Sequence, residues 1–488
     1  MRVNRSNIQI KANPKRVIIN YLDLGVNTNN IKRAKRLIDS VLCIPENELN
    51  VLYEEIKKNF EFRHRNFEQY IKINFKKIQP ELPGDTEISE IRSLVIGAYF
   101  SKEYSIQSAA LFNPSMVAHP NQKGLKEGEK RFVLSLRAVG EGHISSIEFR
   151  SGIIDKDGTI NLDKETGFAS CSIKIPDKIY NRDNILKNTS VLKDFDQSIL
   201  GVFEENFTYD DYLKKVRANA FSTFDEATQA ELFHVLDTNY DVIADENAPI
   251  CERVIFPNAL GESMGMEDVR FVAFIENGKT QYIGTYTAYN GHKISPQLIF
   301  TEDFVHFKAR SLYGAAVSDK GMALFPEKID GKYVMTARQG GENITIMYSD
   351  DLFIWKNYEV IMTPKDTWGY VQLGNCGSPI KTNKGWLVIT HAVGPLRKYV
   401  LGAILLDLKN PSKIIKKLNK PLLSPNKKER EGYVPNVVYS CGSMAHEGNL
   451  ILPYAMSDSA STFATINIEE LINEMEIYKS SNTVKHVF

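Results

Sequence analysis

The sequence has no surplus of either charge. Its 488 residues include 60 Lys and Arg and 60 Asp and Glu, so the formal net charge is zero. Such a chain carries no overall field that would attract nucleic acid or anionic lipid. We therefore expect a neutral substrate, or one whose charge is matched locally within a site, and no nucleic-acid or membrane partner.

Cysteine is scarce and scattered. The five residues are odd in number and never form a C-x-x-C pair: Cys43, Cys171, Cys251, Cys376 and Cys441. This pattern argues against a disulfide framework and against a zinc site. We expect free thiols in a reducing compartment and no bound metal.

Long apolar runs are also missing. The first five residues lack the apolar core of a signal peptide, and no run approaches the ~18 apolar residues that span a bilayer. These features predict a cytoplasmic protein.

Apolar residues at helical spacing mark the N-terminal part of the chain. Between residues 31 and 77 the pattern includes Leu49, Leu52, Ile56 and Phe60, and a second helix is predicted over 87–99. We interpret residues 1–105 as a helical accessory region that packs or dimerises.

Short strands and turns dominate from residue 106 onward. Residues 131–140 and 145–155 form a predicted hairpin that ends at the turn Asp157-Gly158. Helical spacing returns at about 181–245, which predicts a helical insertion, and short strands follow from 250 to 465. We assign residues 106–480 to one mainly β domain.

An internal repeat suggests how these strands are arranged. The segment 302–308 (EDFVHFK) recurs 48 residues later as 350–356 (DDLFIWK). A period of 40–50 residues with a few short strands per unit is typical of β-propeller blades. Tandem sandwich domains are the alternative.

Two adjacent carboxylates stand out in the segment 265–270, Gly-Met-Glu-Asp-Val-Arg. Neighbouring side chains of a regular strand point to opposite faces. Glu267 and Asp268 should therefore face opposite sides, and Arg270 should share the face of Asp268. The non-catalytic interpretation is the start of a strand with a salt-bridged surface.

Several motifs, taken in order, resemble glycoside hydrolase family 130. They are Arg137-Ala138, Gly265-x-Glu267-Asp268-x-Arg270, Leu324-Phe325-Pro326-Glu327-Lys328, Gly331-Lys332-Tyr333, Ser349-Asp350-Asp351-Leu352-x-x-Trp355, Gly385-Trp386-Leu387-x-x-x-His391, Val434-Pro435-Asn436-Val437-Val438 and Tyr454-x-x-x-Asp458. The resemblance covers about 112–155 and 250–465. It implies a five-bladed β-propeller with an N-terminal helical extension and a helical insertion. It also implies action on β-mannosides with inversion, by phosphorolysis or hydrolysis.

The resemblance also assigns roles around the sugar. Asp268 matches the proton donor, which in this family is thought to act through a sugar hydroxyl. Asn113 and Arg137 match sugar contacts, and Asp458 matches an active-site position that holds the sugar or polarises the nucleophile. Arg270 is expected to orient Asp268 or the sugar, with a buried structural ion pair as the alternative. Glu267 is expected to face away, into structure or substrate support.

A second set of matched positions concerns phosphate. Arg338 and His391 match phosphate ligands, and Lys320 falls where phosphorylases commonly carry Arg. Gly321 replaces an Asn often found there, and Gln372 occupies the position of a Lys, so two donors are weakened or lost. Three basic groups, Lys320, Arg338 and His391, remain to hold a phosphate dianion.

We therefore predict an inverting β-mannoside phosphorylase that yields α-mannose 1-phosphate, with inorganic phosphate as co-substrate and no cofactor. The alternative is an inverting β-1,2-mannosidase, in which Glu342 or Glu431 would act as base. A non-catalytic carbohydrate-binding propeller is the third hypothesis. A homo-oligomer formed through the N-terminal helices is a further expectation.

Overall fold

The computed structural model describes residues 1–26, 31–84, 87–175 and 178–478. Parts of two predicted regions lie outside these ranges: 27–30 and 85–86 of the accessory region, and 176–177 and 479–480 of the β domain. The described chain is mainly β, with helices concentrated before the first long strand and between residues 182 and 238.

The N-terminal region contains the predicted helices. Its elements are β1 (Val3–Arg5), β2 (Ile10–Lys11), β3 (Val17–Tyr21), α1 (Lys32–Leu42), α2 (Glu46–Phe60), α3 (Phe67–Ile78), α4 (Glu90–Tyr99) and β4 (Ser101–Ser105). The helices bury one apolar face each, around Leu49, Ile71 and Val95. The Ser89 hydroxyl caps α4 by accepting from the Arg92 amide.

The next segment carries the first long strands and the helical insertion. Its elements are β5 (Ala110–Ala118), β6 (Lys130–Val139), β7 (Ser145–Ile154), β8 (Ile160–Leu162), β9 (Ser170–Cys171), β10 (Ile173–Lys174), β11 (Ile179–Asn181), α5 (Arg182–Thr189), β12 (Asn206–Thr208), α6 (Tyr209–Arg217), α7 (Glu226–Thr238), β13 (Asp241–Ile243) and β14 (Arg253–Ile255). The three helices surround an aromatic cluster that includes Phe203, Phe207 and Tyr212.

The last segment is almost entirely β. Its elements are β15 (Gly265–Glu276), β16 (Lys279–Tyr289), β17 (Ile294–Thr301), β18 (His306–Ser311), β19 (Ala323–Leu324), β20 (Tyr333–Ala337), β21 (Ile344–Ser349), β22 (Glu359–Met362), β23 (Gln372–Asn375), β24 (Ile380–Thr382), β25 (Gly385–Val393), β26 (Tyr399–Leu406), β27 (Ile414–Lys417), β28 (Val438–Tyr439), β29 (Met444–His446), β30 (Asn449–Met456), β31 (Ala460–Asn467), α8 (Ile468–Glu474) and β32 (Glu476–Ile477).

The strands pair with their chain neighbours in antiparallel units. In chain order these are unit 1 (β5–β8), unit 2 (β15–β18), unit 3 (β19–β22), unit 4 (β23 to β27) and unit 5 (β28 to β31). Units 1 and 2 meet where Gly265 pairs with Ser145. Strands β1 and β2 lie on the outer edge of unit 5, paired with β31. The first residues of the chain thus complete the last sheet, although the helices separate the two in sequence.

The internal repeat occupies equivalent places in two units. Residues 302–308 span the turn after β17 and the start of β18, and residues 350–356 lie between β21 and β22. Phe307 and Trp355, which match across the repeat, are both buried. In both units, therefore, the repeated segment follows the third strand and buries an aromatic side chain.

The N-terminal region docks against unit 1 and its neighbouring loops. Arg16 and Glu148 form a fully buried ion pair at 2.9 Å, and Arg65 binds both carboxylate oxygens of Glu252. In the described ranges, no helix has the length and apolar character that crossing a membrane requires.

Candidate active site

Two β-bulges face each other at the start of β15 and within β5. The pairing of β15 shifts between Glu267 and Arg270, and that of β5 shifts between Phe112 and Ser115. The extra residue of each bulge adopts a left-handed backbone, with φ 53° at Asp268 and 51° at Asn113. Asn113 Nδ2 donates to Asp268 Oδ1 at 2.7 Å. The bulges thus aim the two side chains at each other.

This geometry corrects the prediction that Glu267 and Asp268 face opposite sides. Arg137 Nη2 lies 2.7 Å from Glu267 Oε1, and Arg137 Nη1 lies 3.3 Å from Asp268 Oδ1. Alternation holds only in a regular strand, and the bulge turns both carboxylates toward the same arginine. Glu267 therefore shares the cleft with Asp268.

Glu267 also connects the predicted sugar side with the predicted phosphate side. Its second oxygen, Oε2, lies 2.5 Å from Lys320 Nζ. The carboxylate is almost buried, with 7% of its side chain exposed, whereas Lys320 is 29% exposed. The charge of Glu267 thus holds Arg137 and Lys320 in one network.

Arg270 forms hydrogen bonds that hold the backbone of the β15 bulge. Only 2% of it is exposed, and its three nitrogens donate to the Asp268 carbonyl, the Cys376 carbonyl and the Tyr439 hydroxyl. It therefore orients the backbone of Asp268, one of the two predicted roles, and does so without an ion pair to the Asp268 carboxylate.

The predicted phosphate ligands come together at the ends of units 3 and 4. Arg338 follows β20, His391 lies in β25, and Arg338 Nε donates to the Lys320 carbonyl at 3.3 Å. Gln372 begins β23, and strand alternation places its side chain on the face of Gly374, which pairs with His391. A side chain at Gly321 would lie 3.2 Å from Arg338 Nε, so the glycine leaves room for this arginine.

His391 differs in charge from the other two basic groups of the predicted phosphate set. Burial lowers its pKa well below the ordinary value, and Arg338 and Arg270 add to the effect. Arg338 Nη1 lies 3.4 Å from Nε2 of His391, and because a guanidinium only donates, this nitrogen acts as acceptor. Lys320 and Arg338 are therefore the two cations of this predicted set.

The two aspartates of the cleft have opposite pKa shifts. Burial works to raise the pKa of Asp268, but Arg137, Arg270 and Lys320 outweigh it and lower the pKa to about 2. Burial raises the pKa of Asp458 to about 6, and the Asp268 carboxylate adds to this rise. Asp458 thus lies within electrostatic reach of Asp268 and Arg137, as the predicted site requires.

The two predicted bases lie in exposed loops. Glu342 is exposed in the turn after Arg338, and Glu431 is exposed before Tyr433. The buried glutamate of that second loop is Glu429, which accepts from the Tyr454 hydroxyl at 2.7 Å. Neither Glu342 nor Glu431 has the burial that prepares a carboxylate for proton transfer.

Several left-handed backbone positions belong to the cleft. Besides Asn113 and Asp268, positive φ angles occur at Asp319, next to Lys320, and at Ser457 and Asp458. In addition, Asn113 Oδ1, Asn375 Oδ1 and His391 Nδ1 are buried polar atoms without a hydrogen-bond partner among the described residues. Strained residues and unpaired polar atoms both mark sites that a ligand completes.

Sequence reasoning missed several supporting residues. Ser145 accepts from Arg137 Nε at 2.9 Å, Tyr439 accepts from Arg270, and Asn375 Nδ2 donates to the Gly321 carbonyl at 2.8 Å. No sequence pattern singles them out, although Tyr439 follows directly on the Val437-Val438 motif. In the described part of the chain, no cluster of His, Cys, Asp and Glu is suited to a metal ion.

Comparison with known proteins shows which family the chain resembles. A family model for glycoside hydrolase family 130, described as β-1,4-mannooligosaccharide phosphorylase, matches residues 225–477. The 1,2-β-oligomannan phosphorylase of Thermoanaerobacter sp. (strain X514) is 41% identical over 155 residues, which are 31% of this chain and 52% of that protein. The β-1,2-mannobiose phosphorylase of Listeria innocua is 24% identical over 361 residues, 70% of this chain and 95% of that protein.

A solved structure of β-1,2-mannobiose phosphorylase from Listeria innocua, in complex with β-1,2-mannobiose, superposes with a TM-score of 0.45 at 20% identity. The superposition covers 75% of this chain and 92% of that one. The family model spans more than half of the chain and includes Glu267, Asp268, Lys320, Arg338 and His391. The chain therefore belongs to glycoside hydrolase family 130, a family of enzymes that act on β-mannosides.

Proposed function

We propose that this enzyme is an inverting β-mannoside phosphorylase. It transfers a mannosyl group from the non-reducing end of a β-mannooligosaccharide to inorganic phosphate, which yields α-mannose 1-phosphate. The observation that carries the proposal is the Glu267 network, in which one carboxylate joins Arg137 beside Asp268 to Lys320 beside Arg338. The names of the curated relatives, each a phosphorylase of β-mannosides, support the same reaction.

The arrangement suits an inverting displacement. Inversion requires the nucleophile and the leaving group on opposite sides of the anomeric carbon. Asn113 and Arg137 come from unit 1 and Asp458 from unit 5, whereas Lys320 precedes the first strand of unit 3 and Arg338 follows its second strand. A mannosyl group held by the first set presents C1 to a phosphate held by the second.

The proton is delivered by Asp268. In the free protein this carboxyl is ionised at neutral pH, because three cations hold its pKa at about 2. A phosphate bound beside Lys320 and Arg338 offsets their charge, which raises the pKa of Asp268 and allows it to carry a proton.

Bond making and breaking then balance. Asp268 passes its proton to a sugar hydroxyl, whose own proton moves to the glycosidic oxygen as the bond from C1 to that oxygen breaks. A phosphate oxygen forms the new bond to C1 from the opposite face. The products are α-mannose 1-phosphate and a sugar shortened by one residue, and Asp268 is left as a carboxylate.

Hydrolysis has less support. An inverting hydrolase needs a carboxylate base for water, and the two candidates, Glu342 and Glu431, are exposed. The two cations of the phosphate set are both in place. We therefore keep the β-mannosidase as the outcome to be excluded by experiment.

The fold that we propose for this function is a five-bladed β-propeller, with units 1 to 5 as its blades. Two observations support it: five successive antiparallel units, and an outer strand of the last unit that comes from the N-terminus. In this arrangement loops of all five units surround one end of a central channel, which brings distant residues into one cleft. The helical region, which spans most of residues 1–105, serves as an accessory and as a candidate subunit contact.

The proposal is tested by incubating the enzyme with β-1,2- and β-1,4-mannobiose, each with and without phosphate. We expect mannose release from at least one of them only when phosphate is present. Equal release of free mannose in phosphate-free solution would establish the hydrolase instead. Under that outcome, Glu342→Gln and Glu431→Gln would identify the base.

A further inference from the structure

Two neighbouring loops carry a pair of aromatic rings, Tyr433 and His143, in contact with each other. Tyr433 and His143 have ring centroids 5.9 Å apart at an interplanar angle of 36°, and the Tyr433 hydroxyl lies 3.3 Å from His143 Nδ1. Tyr433 is 57% exposed. The two rings belong to loops of different units, the one that joins β6 to β7 and the one that precedes β28.

Both loops are anchored to residues of the proposed sugar site. The Val434 amide donates to the Ser457 carbonyl at 3.0 Å, which places Tyr433 next to the turn that carries Asp458. A side chain at Gly432 would lie 2.4 Å from the same carbonyl, so this loop packs tightly against the turn. His143 lies two residues before Ser145, whose hydroxyl accepts from Arg137.

The loop that carries Tyr433 is also held by contacts of Glu429 and Asn436. Glu429 is buried, accepts from Tyr454 and pairs with Arg5 of β1 at 3.2 Å. The Asn436 side chain accepts from Arg430 Nε at 2.8 Å. These contacts hold the ring pair on a rigid base, which lowers the entropic cost of binding.

The position of the pair relative to phosphate indicates what it binds. Phosphate enters from the side of Lys320 and Arg338, so an inverting displacement expels the leaving sugar toward units 1 and 5. Tyr433 and His143 lie on these two units. An aromatic ring stacks on the apolar face of a sugar, and the adjacent hydroxyl and imidazole supply hydrogen bonds to its edge.

We propose that Tyr433 and His143 form the platform for the sugar on the leaving-group side of the bond that breaks. The occupant is the neutral pyranose next to the transferred mannose, so the platform selects chains of at least two sugars. This inference rests on the proposed function. It adds binding residues that lie outside the predicted site.

Binding to an inactive protein tests the platform separately from the reaction. In an Asp268→Asn background, affinities for β-1,2- and β-1,4-mannobiose and for inorganic phosphate are measured by titration calorimetry. We expect Tyr433→Ala to weaken mannobiose binding at least tenfold and to change phosphate binding by less than twofold. Tyr433→Phe, which keeps the ring, should retain most of the affinity.

A matched control is Tyr99→Ala. Tyr99 is 41% exposed and ends α4 of the N-terminal region, outside units 1 to 5, so sugar affinity should stay within twofold. If the Asp268→Asn protein binds mannobiose and Tyr433→Ala leaves that affinity unchanged, the platform is refuted while the proposed function stands. If that protein binds no β-mannoside of either linkage, both are refuted.

Discussion

At the scale of single residues, the pKa values of the two aspartates of the cleft are shifted in opposite directions by their surroundings. Arg137, Arg270 and Lys320 keep Asp268 ionised, whereas burial and the charge of Asp268 favour the neutral form of Asp458. Pairs of carboxyl groups with separated pKa values are typical of sites that move protons. The separation also has consequences for stability that can be measured.

The substitution Asp268→Asn removes the proposed proton donor. We expect turnover to fall by about 10³-fold, which is within the usual contribution of a positioned acid. The lost carboxylate also leaves three cations less well compensated. Because the pKa falls from 3.8 to about 2, the loss of stability at pH 7 should be no more than about 2.5 kcal/mol.

Turnover and urea denaturation of the variant check this expectation, with circular dichroism as a control for folding. A folded Asp268→Asn protein that kept more than a tenth of the original turnover would contradict the assignment.

The substitution Asp458→Asn should stabilise the protein in a pH-dependent way. The pKa of Asp458 is about 6 in the folded state against an ordinary value of 3.8, so the folded state holds this proton more tightly than the unfolded state. The cost of ionising it is absent below pH 4, grows between pH 4 and 6, and is complete above pH 6, where it reaches at most about 3 kcal/mol.

Denaturation of both proteins at pH 4 and pH 7.5 measures this difference. The variant should gain stability over the original protein mainly at pH 7.5. A gain that is the same at both pH values would show that Asp458 does not have a raised pKa.

At the scale of elements, the paired bulges decide which side chains meet. The sequence predicted the helices, the antiparallel strands and the equivalent positions of the repeat, because these follow from local spacing and turns. It did not predict the bulges. Pro114 indicates an irregular position in β5, because proline within a sheet is confined to edges and bulges, but nothing in Met-Glu-Asp-Val-Arg distinguishes a bulge from a regular strand. The alternation rule of regular strands therefore predicted the wrong face for Glu267.

The site itself was predictable only as far as the resemblance reached. Ten matched residues, from Asn113 to Asp458, lie in or around the cleft, yet the neighbouring residues Ser145, Tyr439 and Asn375 carried no signal. The contacts of Tyr439 with Arg270 and of Asn375 with Gly321 join different units, so they depend on how the sheets are placed around one another. Local periodicity contains no information on that arrangement.

The bulge of β15 depends on Arg270. We expect Arg270→Met to lower both stability and turnover, because the carbonyls of Asp268 and Cys376 lose their donors in a buried place. Each such carbonyl costs about 1–3 kcal/mol. A misplaced Asp268 should reduce turnover at least tenfold.

Thermal unfolding and kinetics of Arg270→Met test this role, with the exposed Arg33→Met of α1 as the matched control. Unchanged turnover in Arg270→Met would show that the bulge forms without this arginine.

At the scale of the whole molecule, buried charges join the N-terminal region to the β sheets. Arg16 binds Glu148, which also accepts from Gln107 and lies 3.5 Å from Arg150. Arg16 and Glu148 are fully buried, and removing one partner of such a pair leaves an uncompensated charge. This contact therefore couples the accessory region to unit 1, which carries Arg137.

The substitution Glu148→Gln tests this coupling. The substitution keeps the shape of the side chain but removes the carboxylate charge that Arg16 and Arg150 face. We therefore expect a loss of about 3 kcal/mol in the free energy of unfolding. Glu90→Gln removes the partner of Lys72 in an exposed pair and should leave the denaturation midpoint almost unchanged. Equal effects of the two substitutions would show that the buried pair does not hold the region in place.

The central claim is that phosphate, and not water, accepts the mannosyl group. The most direct measurement follows the reaction of a β-mannobiose with phosphate by phosphorus and proton magnetic resonance. The account predicts one α-mannose 1-phosphate for each bond broken, and no reaction without phosphate. Free mannose formed from both halves of the disaccharide, or a β-configured sugar phosphate, would contradict it.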